Sequence, residues 1–193
     1  MTILGVTCRP EVPPERLKEV VRAAEDGGLD ELWLWEDCFW GGAASAAAAA
    51  LAWTSRLRVG IGVLPVPLRN VALTAMETAM LHRLFPGRVT VGVGHGVQSW
   101  MEQVGARAES PLTLLREYLQ AATGPGTAPA TAGAADPPES AAVAGDAGAI
   151  ADAVRFWAGA GADAVILHPP ADAPDPAAFV RFTAEKVRPL LDT

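Results

Sequence analysis

GVGHGVQSW, Gly92 to Trp100, closes the apolar run Val89 to Val93 with three alternating glycines around one histidine. A buried parallel strand ending this way reads as the C-terminal mouth of an α/β sheet, the edge where such folds keep their ligands. Upstream, Ile3 to Thr7, Glu31 to Glu36 (ELWLWE) and Leu57 to Leu64 (LRVGIGVL) are further runs of strand length, and Asp163 to His168 is a fifth. Helices fall between them. Leu17, Val20, Val21 and Ala24 share one helical face, opened by Pro13 and Pro14 and closed by Gly27-Gly28. Ser45 to Trp53 is almost all alanine, and Asn70 caps a helix from Val71 to Leu84 that Pro86-Gly87 ends. Pro111 to Ala122, Ala147 to Gly159 and Pro176 to Leu191 complete the set. Strict alternation predicts an α/β fold with a parallel sheet of about five strands joined by right-handed crossovers.

The chain has 193 residues, half of them hydrophobic, which suits a single domain with its own core over 1–193. Fifteen basic against 22 acidic residues give a net charge of -7, with no basic cluster, so nucleic acid is not an expected partner. No apolar run reaches the length of a membrane span and MTILGVTCRP lacks a leader pattern, so a cytoplasmic protein with no membrane partner is expected. Cys8 and Cys38 have no CxxC spacing, which argues against a disulfide framework or a metal site. Gly124 to Gly145 is built mainly of Gly, Ala, Pro, Thr and Ser with neither structural period, and reads as a low-complexity linker able to cross a domain face without forming an element.

Several side chains fall at the predicted strand mouths. His95 suits proton transfer near neutrality, and Gly94 and Gly96 beside it permit close approach by a planar ring. Glu36 and Asp37 place consecutive carboxylates after the second strand, and Cys38 adds a thiol that shares this mouth with Cys8. Gln98 and Trp100 could hydrogen-bond and stack on a planar ligand. His168 ends the last strand, Arg69 is an anion or carboxylate contact or a salt bridge to the next helix, and His82 belongs to a helix surface.

LWLWED (32–37), the stretch RVGIGVLPVPLRNVALTAMETAMLHRLFPGRVTVGVGHGVQSW (58–100), SPLTLLREYL (110–119) and the C-terminal GDAGAIADAVRFWAGAGADAVILHPP (145–170) with DPAAFVRFTAEKVRPLL (175–191) resemble the bacterial luciferase-like, flavin- or deazaflavin (F420)-dependent oxidoreductases. The resemblance implies a TIM-barrel-like fold, here incomplete, with the linker standing where the family carries strands five to seven and much of its phosphate site. It implies FMN or F420 as cofactor, a small organic substrate, catalytic roles for His95, Asp37 and Cys38, and a cofactor contact at Gly62-Val63 through a non-prolyl cis peptide, alongside Gly94, Gly96, Gln98 and Trp100. Two departures are visible. Cys38 stands where F420-dependent members often have histidine, and Val97 where some carry a glutamate. The resemblance also implies a homodimer through helices two and three, where alanines and the Met76/Met80 pair suit close packing. The alternative functions are flavin binding without turnover and a subunit whose open sheet edge a partner completes.

Overall fold

The structure is a computed structural model that describes residues 2–122, 131–132 (backbone only), 143–170 and 173–192. The five expected strands are present: β1 (Ile3–Thr7), β2 (Glu31–Leu34), β3 (Arg58–Pro65), β4 (Val89–Gly94) and, last in the chain, β6 (Ala164–Leu167). A two-residue strand, β5 (Thr131–Ala132), joins them inside the stretch expected to form no element; the rest of that stretch up to residue 142 lies outside the described residues. Every pairing is parallel and the strand order is β5-β4-β3-β2-β1-β6. The last strand thus returns to β1, with Val6 opposite Leu167, and does not extend the sheet past β4.

The helices are α1 (Pro14–Asp26), α2 (Ala43–Ala52), α3 (Val71–Leu84), α4 (Gln98–Gln103), α5 (Pro111–Ala122), α6 (Ala147–Gly159), α7 (Pro176–Phe182) and α8 (Arg188–Leu191). Asn70 caps α3 by accepting from the backbone N–H of Ala72 at 2.9 Å. The six-residue α4 is absent from the sequence expectation, because its N-cap Val97 offers no side-chain cap and its length leaves no periodicity to read. The closing helix is not one regular rod: Thr183–Val187 forms a π turn between α7 and α8, in which the N–H of Arg188 reaches Thr183 O. Pro189, one residue further, has no N–H to continue an ordinary ladder.

The two faces of the sheet differ. Leu4, Val6, Leu32, Leu34, Val59, Ile61, Val91 and Val93 point to the helical side and are buried with Val20, Ala24, Ala47, Leu51 and Val180. Alternation sends Gly5, Glu31, Trp33, Arg58, Gly60, Gly62, Thr90, Gly92 and Gly94 to the opposite face. A Cβ on Gly60 would come within 2.4 Å of the Trp33 ring and one on Gly5 within 2.6 Å of Ile166, so these glycines make room for neighbouring side chains. Between Ile61 and Leu64 the β3–β4 register shifts, which turns Val63 onto the glycine face, against Gly92 and Gly94. Gly62, Thr90 and Ala164 on this face are exposed, whereas parallel sheets are ordinarily covered on both sides.

At the opposite end of the sheet from the mouth, Glu25 in the last turn of α1 positions the entry to β3. Its carboxylate accepts from the backbone N–H groups of Ser55 (2.9 Å), Arg56 (3.2 Å) and Leu57 (2.8 Å) and from Ser55 Oγ (2.8 Å). Burial raises the carboxyl pKa, but these bonds outweigh it and bring the value down from 4.5 to about 2. A depressed acid stabilises the fold above its unfolded value, and that contribution disappears as pH falls through the folded value. Chemical denaturation between pH 4.5 and 2 is therefore expected to show wild-type stability falling, with Glu25→Gln starting about 3 kcal/mol lower and sloping less over that window.

Candidate functional site

Because all strands run parallel, the residues that follow their C-termini gather at one end of the sheet. Three groups form there. The first joins β1, β2 and β6: Thr7 Oγ1 lies 2.7 Å from His168 Nδ1, Arg9 Nη1 lies 3.3 Å from His168 Nε2, and Arg9 Nη2 donates to Glu11 at 2.7 Å. The Trp35 ring lies 5.2 Å from the His168 ring at 30°, and Trp35 Nε1 donates to Asp37 Oδ2 at 3.0 Å. Burial raises the Asp37 carboxyl, with the Trp35 bond opposing and the Glu11 charge adding to it. Burial, and then the Arg9 charge, lowers the His168 imidazole.

The second group is structural in character. Glu36 Oε2 accepts from Ala43 N at 3.0 Å, at the start of α2, and Glu36 N donates to Val63 O at 3.2 Å. Its other oxygen lies 3.2 Å from Arg69 Nε, close enough for an ion pair but without hydrogen-bond alignment, while Arg69 Nη2 donates to Glu77 at 2.9 Å. Arg69 therefore forms the salt bridge to the following helix.

The third group follows β4. His95 Nδ1 lies 2.7 Å from Gly96 O, and since a carbonyl only accepts, Nδ1 carries a proton and Nε2 is the nitrogen of this exposed ring left to exchange one. Gln98 Nε2 donates to His95 O at 2.9 Å, bracing the loop with the amide that was expected to meet a ligand. Gly96 has φ 69°, and a Cβ there would press on Pro65 and Met101. Trp100 is 37% exposed.

The thiols are placed differently. Cys8 points into the buried face, and burial pushes it up to about 12. Cys38 is also buried; burial first, and then the Asp37 and Glu36 charges, raise its thiol, so it holds its proton at neutral pH. The Gly62-Val63 peptide is cis, as the resemblance implied. The Thr7–Arg9–Glu11 side of the first group escaped the sequence expectation, since only the β1–β6 pairing brings residues about 160 positions apart into contact. Among the described residues no cluster of ligating side chains suits a metal, and no helix is long and apolar enough to cross a membrane.

A planar ring fits this end of the sheet, which offers the Val63 side chain beside two glycines, exposed Gly62, and the indoles of Trp33 and Trp35. A phosphate tail does not fit the groups just described, because Arg9 is committed to Glu11 and Arg69 to Glu36 and Glu77.

Helices on one face of a parallel sheet, with polar groups gathered at the strand ends, make an α/β protein of TIM-barrel type. Residues 4–125 match the luciferase-like monooxygenase family, and the chain belongs to it. It is 28% identical over 120 residues to the 5,10-methylenetetrahydromethanopterin reductase of Methanolobus tindarius, covering 62% of this chain and 37% of that protein. The chain thus spans little more than a third of the length of that curated relative. Among solved structures, the coenzyme F420-dependent tetrahydromethanopterin reductase of Methanopyrus kandleri superposes with a TM-score of 0.77 at 14% identity, covering 97% of this chain and 99% of that one. The oxygenating constituent of 3,6-diketocamphane monooxygenase of Pseudomonas putida, in complex with FMN, gives a TM-score of 0.56 at 18% identity, covering 62% and 39%. Both likenesses concern the fold.

The glycine floor can be tested on its own. Gly60→Ala is expected to displace the Trp33 indole and cost about 1 to 3 kcal/mol, measured by denaturant unfolding together with a shift in tryptophan emission.

Proposed function

We propose that the chain is a flavin- or F420-dependent oxidoreductase acting on a small organic substrate at the strand mouth. The observation that carries this reading is the glycine face, covered by a few side chains but exposed at Gly62, which leads to a mouth with the Trp33 and Trp35 rings, Asp37 and the Nε2 of His95. Gly62, Val63, Gly94, Gly96 and Trp100 are the residues that would hold the cofactor ring. When bound, the cofactor supplies the hydride or oxygen chemistry. The protein's share is to position the ring, keep water off its covered side, and accept a proton at His95 Nε2 or exchange one at Asp37, whose raised carboxyl suits that role. Cys38 contributes as a neutral hydrogen-bonding group on this reading, since its thiol is protonated.

Binding without turnover is the second reading, favoured by the commitment of both mouth guanidinium groups to carboxylates. Fluorescence titration of the full chain with FMN, riboflavin and F420 tests both. Ring-dominated binding predicts FMN and riboflavin affinities within roughly threefold of each other, where a dedicated phosphate site would separate them much further. Failure of FMN and F420 to bind at concentrations far above micromolar rejects both readings, and turnover with any reductant and substrate rejects the second.

We also propose a homodimer through the α2–α3 region. Leu73, Met76, Met80 and Leu84 line one face of α3, with Met76 69% and Met80 56% exposed, an apolar stripe of the kind that protein interfaces cover. Light scattering is expected to give twice the chain mass for the wild type and the single mass for Met76→Glu/Met80→Glu; a monomeric wild type at working concentration rejects the dimer.

A further inference from the structure

The contact between β1 and β6 fixes the protonation of His168. A guanidinium only donates, so Arg9 Nη1, 3.3 Å from Nε2, requires that nitrogen to be the acceptor of a neutral ring. The ring proton then sits on Nδ1 and is donated to Thr7 Oγ1 at 2.7 Å. A hydroxyl that accepts this bond keeps its own hydrogen to give away. Thr7 is the last residue of β1, on the same face as Gly5, so that hydrogen is offered at the mouth.

We propose that Thr7 Oγ1, oriented by His168 and Arg9, donates a hydrogen bond to the carbonyl oxygen of an uncharged group, a whole small ligand or the ring portion of a larger one, on the β6–β1–β2 side of the mouth. The neighbours select the charge of the group that enters. Glu11 and Asp37 both lie here, and the nearby cation, Arg9, is already paired with Glu11. An anion would face two carboxylates without a free counter-charge, while a cation has no use for a hydroxyl donor. A neutral carbonyl meets neither penalty, and the Trp35 indole beside His168 gives its apolar body a surface. Two sources carry this chemistry: a carbonyl of the flavin or deazaflavin ring, and that of a small ketone or aldehyde substrate. The inference deepens the oxidoreductase reading and rests on it for the site's place in the molecule, but the state of His168 is measurable in the ligand-free protein.

The test is nitrogen NMR of the full chain with 15N-labelled histidine. In the ligand-free wild type near neutral pH, His168 is expected as the Nδ1–H tautomer, and Arg9→Met is expected to release it toward Nε2–H. Cyclohexanone, cyclohexanecarboxylate, FMN and F420 are then added separately. Cyclohexanone is expected to shift the Nδ1 signal; Thr7→Val weakens that response roughly three- to tenfold, Thr7→Ser retains it, and the carboxylate gives none. An equal response to FMN or F420 assigns the carbonyl to the cofactor ring, and a response to cyclohexanone alone assigns it to the substrate. The proposal is overturned by an Nε2–H tautomer in the wild type, by equal binding of the ketone to wild type and a folded Thr7→Val variant, by equal binding of the carboxylate, or by a wild type silent to all the carbonyl probes. A cyclohexanone response with no FMN or F420 binding would reject the cofactor reading and keep this one.

Discussion

The Trp33 indole lies across Gly60 and Gly62, and this one contact determines what the inner side of the sheet can be. A Cβ at either position would enter the ring, so β3 gives up two side chains to admit one from its neighbour β2. The same device recurs on both sides, with Ile166 over Gly5 and Val63 over Gly92 and Gly94. Few side chains therefore occupy a face that a closed barrel fills in layers, and the space nearest the strand ends stays open. Trp33 is itself anchored, donating from Nε1 to Glu31 at 2.7 Å, and Glu31 pairs with Arg58 at 3.0 Å on the next strand. Floor, indole and ion pair make one unit beneath the mouth.

Above that unit the acidic residues divide by their partners. Glu36, bonded to the start of α2 and paired with Arg69, joins β2 to α2 and α3 and has little left to offer a ligand. Asp37, its neighbour in sequence, spends one oxygen on Trp35 and sits in an environment that favours its protonated form more than water does. The two histidines make a similar contrast. Both carry a proton on Nδ1, yet His95 leaves Nε2 exposed while His168 has it capped by Arg9. One is arranged to take a proton and the other to hold a neighbour still.

The strands were legible because each is a short apolar run bounded by turn residues, and the glycines that end β4 read as a mouth because three of them alternate around a histidine where such a run stops. Residues 131–132 and α4 were not, the first because its pairing comes from β4 and not from its own composition, the second because six residues carry no period. At the mouth, position was legible and partnership was not. Asp37, Cys38 and His95 were found from their places after strands, but that Cys38 is buried, or that Gln98 turns back onto its own loop, depends on packing that no local pattern records. Arg9 was passed over since its histidine lies 159 residues away.

That distance also explains why the C-terminal segment belongs to the site. β6 hydrogen-bonds to β1, and the helices behind it are tied to the N-terminal part by Arg16 to Asp175 at 2.7 Å, Arg181 to Glu19 at 3.3 Å and Arg188 to Asp30 at 2.9 Å. The partly exposed pairs contribute little each. Asp30 does more, because the same oxygen accepts from the backbone N–H of Leu4 and so fixes the last helical turn to the first strand. A chain that skipped from β4 to an unanchored C-terminal helix would leave β1 as an open edge and Thr7 without the imidazole that orients it. The return of β6 to β1 thus shields one edge of the sheet and builds one wall of the mouth, and the ion pairs matter to the site by keeping that return in register.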